Sequence, residues 1–277
     1  MKFDKNLAAI HAYLCGDGYV IRNPTTQDHK YYHIGLRNTN AVLLKDFQQK
    51  FKAVFNVEPR IVEGRSIIQN KEIYQFLTND FSYYSYEWSF PQLSLENTKA
   101  WLRAFFDCEG WVENQPAKSR LIGLECCNEQ GILQVKDALH KLGINSQLVK
   151  KKGRTIWRLT ICEKENMKQF QASINFLHPE KKQKLKEAIA SYANYEWKIP
   201  TTKEELLAFL TQKGKIRETR NELRVLSLLE KNLKNVQKAL KEHDVPSTLL
   251  GPWKSSTCSQ YYCLIIKEDN LPWKKNK

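Results

Sequence analysis

The sequence predicts an α+β protein built from two copies of one half-domain, followed by a smaller module. Three observations predict it. Ile10-His11-Ala12-Tyr13-Leu14-Cys15-Gly16-Asp17-Gly18 and Leu102-Arg103-Ala104-Phe105-Phe106-Asp107-Cys108-Glu109-Gly110 follow one pattern: an apolar helix with two small residues four apart, closed by an acid and a glycine. Ile34-Gly35-Leu36 recurs as Ile122-Gly123-Leu124, an offset of 88 residues, and at that offset Asn40 falls on Asn128, Leu44 on Ile132, Phe47 on Val135 and Phe51 on Leu139. Each copy also reads as helix, two strands, helix, two strands, helix. A period this long exceeds a solenoid unit, so the repeat is a tandem of half-domains.

The elements follow in order. Residues 5 to 17 form the first motif helix. Tyr19 to Arg22 and Tyr31 to Arg37 read as strands joined through Asn23-Pro24-Thr25-Thr26. Asn40 caps a helix with Leu43, Leu44, Phe47, Phe51 and Val54 on one face. Arg60 to Val62 and Ser66 to Ile68 form a hairpin, and Glu72 to Phe81 a closing helix. Tyr83 to Leu95, with Pro91, is the linker. In the second copy Asn97 to Cys108 is helical, Trp111 to Asn114 and Arg120 to Cys126 are strands, and Asn128 caps the next helix. Gln147 to Lys150 and Thr155 to Ile161 pair around Lys152-Gly153, and Asn166 to Phe176 and Glu180 to Tyr192 are helical. Beyond Pro200, Thr202 and Glu205 read as a capping box. A longer helix or pair of helices follows through Leu223, Leu226, Leu229, Leu233, Val236 and Leu240. Val245-Pro246 stops it, and Gln260 to Ile266 is a strand. This pattern predicts a small helical or winged-helix-like module, and domains at 1–95, 96–198 and 199–277.

Composition narrows the function. The chain has 277 residues and a formal net charge of +14, which points to a polyanionic partner, nucleic acid before a membrane surface. There is no long apolar run, and Met1-Lys2-Phe3-Asp4-Lys5-Asn6 leads into a helix rather than a signal peptide. Seven cysteines, including Cys258, with no Cys-x-x-Cys pair read as buried thiols of a reducing compartment, the cytoplasm or an organelle, rather than disulfides or structural zinc. From Lys198 onward there are 16 Lys and Arg against 9 Asp and Glu. That excess suits either a second nucleic-acid contact or a stabilising extension.

The motif helices carry the chemistry. Ala12 and Gly16, like Ala104 and Cys108, lie four apart on one helix face and let two backbones approach. Gly18 and Gly110 turn each chain directly into a strand. If the helices pair, Asp17 and Glu109 become neighbours. Carboxylates at helix C-termini are disfavoured by the macrodipole and by each other. A divalent cation reverses both penalties; Mg²⁺ (or Mn²⁺) prefers oxygen ligands and bridges to phosphate. Asp107, whose counterpart is Cys15, reads as structural.

Residues 5 to 195 resemble the LAGLIDADG homing endonucleases in their single-chain, two-repeat form. Ala12 and Ala104 stand where Gly is usual and Cys15 where an acid is common, but the small-residue spacing and terminal acid-Gly are kept in both copies. The resemblance implies two pseudo-twofold-related αββαββα halves, a monomer with its motif helices at the interface, and sheets that enter the major groove of double-stranded DNA. It implies that Asp17 and Glu109 bind catalytic metal, with the carbonyls of Gly16 and Cys108, and cut both strands across the minor groove. The segment Phe176 to Lys184 resembles the one that supplies a basic catalytic residue, Lys182 first and Lys181 behind it; a solvated helix face is the bland alternative. The first half has no matching lysine after Phe76-Leu77. DNA-contact candidates are Arg22, Gln27, Lys30, Tyr32, Arg37, Arg60 and Arg65 from the first half. Asn114, Lys118, Arg120, Lys150, Lys151, Lys152, Arg154 and Arg158 come from the second. Turn cations position on phosphate; strand residues read base edges. The alternative is a nuclease-inactive DNA- or RNA-binding protein on the same fold, a transcription regulator or intron maturase. The start at Met1 and the end at Lys275-Asn276-Lys277, without a terminal His-Asn, read as freestanding or intron-encoded rather than an intein.

Overall fold

In the computed structural model, which describes residues 2–24, 26–28, 31–115, 119–192, 196–254, 260–267 and 269, the first motif helix α1 (Lys5–Cys15) starts at Asp4, whose carboxylate accepts the Leu7 amide at 2.7 Å. That bond satisfies one of the free N–H groups of the first turn. Every residue of α1 from Leu7 to Cys15 is buried. A helix buried all round needs partners on two sides, and α1 has them in α2 (Ala41–Phe55) and α4 (Leu95–Glu109).

Between these helices run β1 (Gly18–Arg22) and β2 (Tyr32–Arg37), then β3 (Arg60–Val62), β4 (Arg65–Gln69) and α3 (Lys71–Thr78). The second copy comprises α4, β5 (Gly110–Gln115), β6 (Ser119–Cys126), α5 (Glu129–Lys141), β7 (Gln147–Lys150), β8 (Trp157–Cys162) and α6 (Lys164–Ser173). A further helix, α7 (Pro179–Ala190), follows. The antiparallel sheets have the same order, β1-β2-β4-β3 and β5-β6-β8-β7. Asn40 and Asn128 do cap α2 and α5, accepting the amides of Val42 and Gly131. Both copies share one core, within a compact unit of residues 1–192.

The repeated Ile-Gly-Leu has a steric cause. A Cβ on Gly35 would lie 2.5 Å from the Tyr19 hydroxyl, and one on Gly123 would lie 2.2 Å from the Trp111 ring. In each copy an aromatic side chain from the edge strand covers the glycine on the sheet face turned away from the helices.

Residues 193–277 form a second compact unit with its own core of Leu206, Leu210, Leu223, Val225, Leu233, Val236 and Leu240, among others. It is not winged-helix-like. Its elements are α8 (Lys203–Lys213), β9 (Gly214–Arg217), β10 (Glu222–Ser227), α9 (Glu230–Glu242), β11 (Thr248–Lys254) and β12 (Gln260–Lys267), with sheet order β9-β10-β12-β11. This is the topology of the other two sheets. Leu223 and Leu226, expected on a helix, lie in β10. Their spacing fits a helix, but Leu223 and Val225 are buried while Leu226 points the other way, 53% exposed. Strand alternation explains that pattern and helical periodicity does not. Thr202 caps α8 as expected: the Glu205 amide reaches Thr202 Oγ1 at 3.4 Å, while the Glu205 carboxylate accepts the Thr202 hydroxyl at 2.9 Å. No described helix is long and apolar enough to cross a membrane.

Candidate active site

The motif helices meet at their C-terminal ends. A Cβ on Gly16 would sit 2.7 Å from Cys108 Cβ, so only a glycine allows this approach. Ala12 and Ala104 are buried too, at 0% and 2% exposure. One turn earlier, Trp101 Nε1 donates to His11 Nδ1 at 3.0 Å across the same interface. Burial drives the His11 pKa down to about 3, so the ring is neutral and free to accept.

At this junction the chain leaves α1 through Asp17 and α4 through Glu109. Asn38 Nδ2 donates to Asp17 Oδ2 at 2.7 Å. Asn38 is itself fixed, since its Oδ1 accepts the Asn40 amide at 2.8 Å and its amide donates to the Gly64 carbonyl. Cys126 stands at the equivalent place in the second copy, where its sulfur accepts the Asn128 amide. The two acids are therefore held differently. Burial, and then the charge of Asp17, push the Glu109 pKa up to about 7; Lys181 opposes them. Burial comes first among the causes that raise the Cys108 thiol, and the Asp17 backbone hydrogen bond opposes it.

The basic group at the acids is Lys181. Its Nζ donates to the carbonyls of Asp107 at 2.5 Å, Cys108 at 3.3 Å and Phe106 at 3.4 Å, covering the free C-terminal carbonyls of α4. Burial lowers its pKa, against the pull of the surrounding acids. Lys182, the residue expected from the sequence, is exposed on the next position of α7. The correction follows from helix phase: Pro179 starts α7 at its first position, and one step of rotation turns Lys181 to α4 and Lys182 to solvent. Asp107 is structural, as read from the sequence. It is 1% exposed and accepts the amides of Leu177 and His178, both at 3.0 Å, at the entry to α7. Burial raises its pKa to about 6 despite those bonds.

Sheet register sorts the proposed DNA contacts. Arg37 and Arg65 are cross-strand partners on the face that carries Tyr19, and Arg60 lies on that face from β3. Arg158 is on the matching face of the second sheet, bonded to Glu125 with Lys151 beside it and its guanidinium 5.5 Å from the Trp111 ring centroid. Lys152 and Arg154 are exposed in the β7–β8 turn, and Gln27 in the β1–β2 turn. Five candidates point the other way. Arg22 and Tyr32 pair with each other on the helix side of their sheet, where Tyr32 packs 5.1 Å from the Tyr74 ring. Arg120 reaches back to α7, donating to Ser191 Oγ at 2.7 Å and its carbonyl at 2.9 Å, over the Tyr192 ring. Asn114 accepts from Ser191 Oγ at 3.1 Å. Lys150 lies over Trp157 on that side. Alternation is readable from sequence, but the phase of each strand is set by which residue meets the core. Lys30, Lys118 and Cys258 lie outside the described residues.

Two carboxylates, one ammonium and close helix ends thus meet where the paired halves join, in a two-repeat fold with an acid pair at its junction. Residues 96–175 match the model of the LAGLIDADG-like domain. The match lies in the second copy, and the sheet of the first copy has the same strand order. Among solved structures, I-DmoI, a homing endonuclease determined in complex with DNA and Mn, is 18% identical over 61% of this chain and 97% of its own, with TM-score 0.47. Full-length DUF199/WhiA from Thermatoga maritima is 14% identical over 76% of this chain and 68% of its own, with TM-score 0.50, and shares the fold. Among curated sequences, the replication factor C small subunit of Thermococcus kodakarensis is 33% identical over 93 residues, covering 33% of this chain and 10% of that protein. Glutamine–fructose-6-phosphate aminotransferase of Methanocaldococcus jannaschii is 25% identical over 234 residues, covering 76% of this chain and 20% of that protein. The chain thus spans between a tenth and a fifth of the length of these two curated relatives.

Proposed function

We propose that this chain is a site-specific double-stranded DNA endonuclease of the homing type, using Mg²⁺ or Mn²⁺. The observation that carries the reading is the juxtaposition of Asp17 and Glu109 at the close helix ends, where burial first and the Asp17 charge second push the Glu109 pKa up to about 7. A pair that resists carrying two charges fits a divalent cation. Among the described residues no group of three or more His, Cys, Asp or Glu forms a metal cage, so water and phosphate oxygens must complete the shell. Mg²⁺ accepts that arrangement readily. The Gly16 and Cys108 carbonyls are further candidate ligands.

When bound, the ion supplies a hydroxide nucleophile and stabilises the leaving oxygen. Asp17 is oriented for this by Asn38. Lys181 offers a proton or a positive charge to the reacting phosphate, its pKa already lowered. The open sheet faces with Arg37, Arg60, Arg65 and Arg158 hold the duplex, so both strands would be cut across the minor groove. On this reading the protein works as a monomer in a reducing intracellular compartment.

The experiment is selection of cleaved DNA from a randomised library with Mg²⁺, repeated with Asp17→Asn and Glu109→Gln. Both variants should bind the selected site and fail to cut it. Binding without Mg²⁺-dependent nicking by the unaltered chain would return the protein to the binding-only class.

A further inference from the structure

The C-terminal unit repeats the half-domain without its acid. Aligning the strand-opening glycines Gly18, Gly110 and Gly214 sets α8 on the two motif helices. Ala208 then matches Ala12 and Ala104, Phe209 matches Tyr13 and Phe105, and Lys213 stands where Asp17 and Glu109 stand. The agreement continues through the strands and the next helix. Gly18 pairs with Leu36, Gly110 with Leu124 and Gly214 with Val225. Eight, eleven and fifteen residues past those partners lie Leu44, Phe47 and Phe51, then Ile132, Val135 and Leu139, then Leu233, Val236 and Leu240, all buried. Lys213 lies 5.8 Å from the Trp197 ring centroid, and an ammonium ligates no metal cation. This copy therefore has no cutting centre of the acid-pair kind.

Its open sheet face has changed in a consistent direction. Where the first two copies place Tyr19 on Gly35 and Trp111 on Gly123, the third pairs Lys215 with Arg224. Glu222 faces Arg217 on one side and Lys267 on the other, and accepts from Arg224 at 2.7 Å. Among the described strand residues, the four cations Lys215, Arg217, Arg224 and Lys267 thus share one paired acid at this end of the face. Like charges directly opposite in a sheet are destabilising unless an anion joins them. The other end carries Trp253, 41% exposed, with its ring 5.7 Å from that of Tyr261.

We propose that the open face of β9–β12 binds the phosphate backbone of duplex DNA, as a third, non-cutting half-domain that adds to the footprint of the first two. The identity of the polyanion rests on the nuclease reading above; the positive face does not. The test uses the full chain and a fluorescent duplex of random sequence, with affinity measured by anisotropy against NaCl concentration. Lys215→Glu/Arg217→Glu/Lys267→Glu should reduce the slope of log affinity on log salt by about 3, near 0.9 for each phosphate no longer neutralised. Trp253→Ala should weaken binding several-fold with the slope unchanged. The same number of reversals on α9, Lys234→Glu/Lys238→Glu/Lys241→Glu, should leave the slope in place. An unchanged slope in the first variant, an equal drop in the α9 variant, or a loss confined to single-stranded DNA overturns the proposal. Cleavage is scored separately with Mg²⁺. A chain that shows the slope change but cuts nothing sinks the nuclease reading and leaves this one standing.

Discussion

Gly16 and Cys108 touch where a side chain on the first would collide with the second, at 2.7 Å from its Cβ. The close approach of α1 and α4 at this point is what brings Asp17 and Glu109 together. Gly16→Ala must move backbone, because the obstructing atom sits at the root of a side chain rather than at a flexible end. It should destabilise the protein by about 1–3 kcal/mol through overpacking. Ala104→Leu should do the same one turn earlier. Urea unfolding measures both, and a Gly16→Ala protein as stable as the parent would count against the close packing.

Glu109 makes stability depend on pH with a definite sign. Its carboxyl titrates near 7 in the native protein against 4.5 ordinarily. Below pH 4.5 it is neutral in both states. Between 4.5 and 7 the native form keeps a proton that the unfolded chain releases, so stability falls as pH rises and the loss is complete above 7. Asp107, raised from 3.8 to about 6, adds to the lower part of the same window. Thermal unfolding of the parent minus Glu109→Gln isolates the Glu109 part. A divalent cation competes with that proton, so the gain in melting temperature from Mg²⁺ should grow from pH 6 to pH 8. A gain independent of pH would remove Glu109 from the ion's ligands.

Lys181 and Lys182 are adjacent in sequence and separate in role. Lys181→Met should cut single-turnover cleavage by more than about tenfold, on the order of general acid–base contributions. It should also shift the Glu109 titration upward, because Lys181 now lowers that pKa. Lys182→Met should leave the titration unchanged and the rate near that of the parent. Equal effects from the two would refute the assignment.

Arg120 and Arg65 separate scaffold from DNA contact. Arg120→Ala removes two hydrogen bonds to Ser191, and should cost about 1–2 kcal/mol of stability with no change in the salt slope of DNA binding. Arg65→Ala should do the reverse: stability unchanged, slope smaller by about 1. Chemical unfolding and anisotropy titrations read the two effects independently.

Local pattern alone makes the doubled half-domain legible. Caps at Asn40 and Asn128, the apolar stripes behind them and the strand-opening glycines are short-range features, and in the first two copies they agree on one geometry. The same signal runs through Ala208, Phe209 and Gly214, yet the third copy is inconspicuous because Lys213 replaces the acid that marks the other two. Leu223 and Leu226 also mimic a helix until strand pairing assigns them to opposite faces. Asn38 as the support of Asp17, Lys181 in place of Lys182, and Arg120 turned inward to Ser191 depend on helix phase and strand phase. These are set by which side chains reach the core, a property of the packed chain and not of any segment. The order of residues along the chain specifies the kind of half-domain and the two acids it carries. Folding selects which cation meets those acids and which arginines are left facing outward, because burial is shared out only when the helices and sheets close on one another.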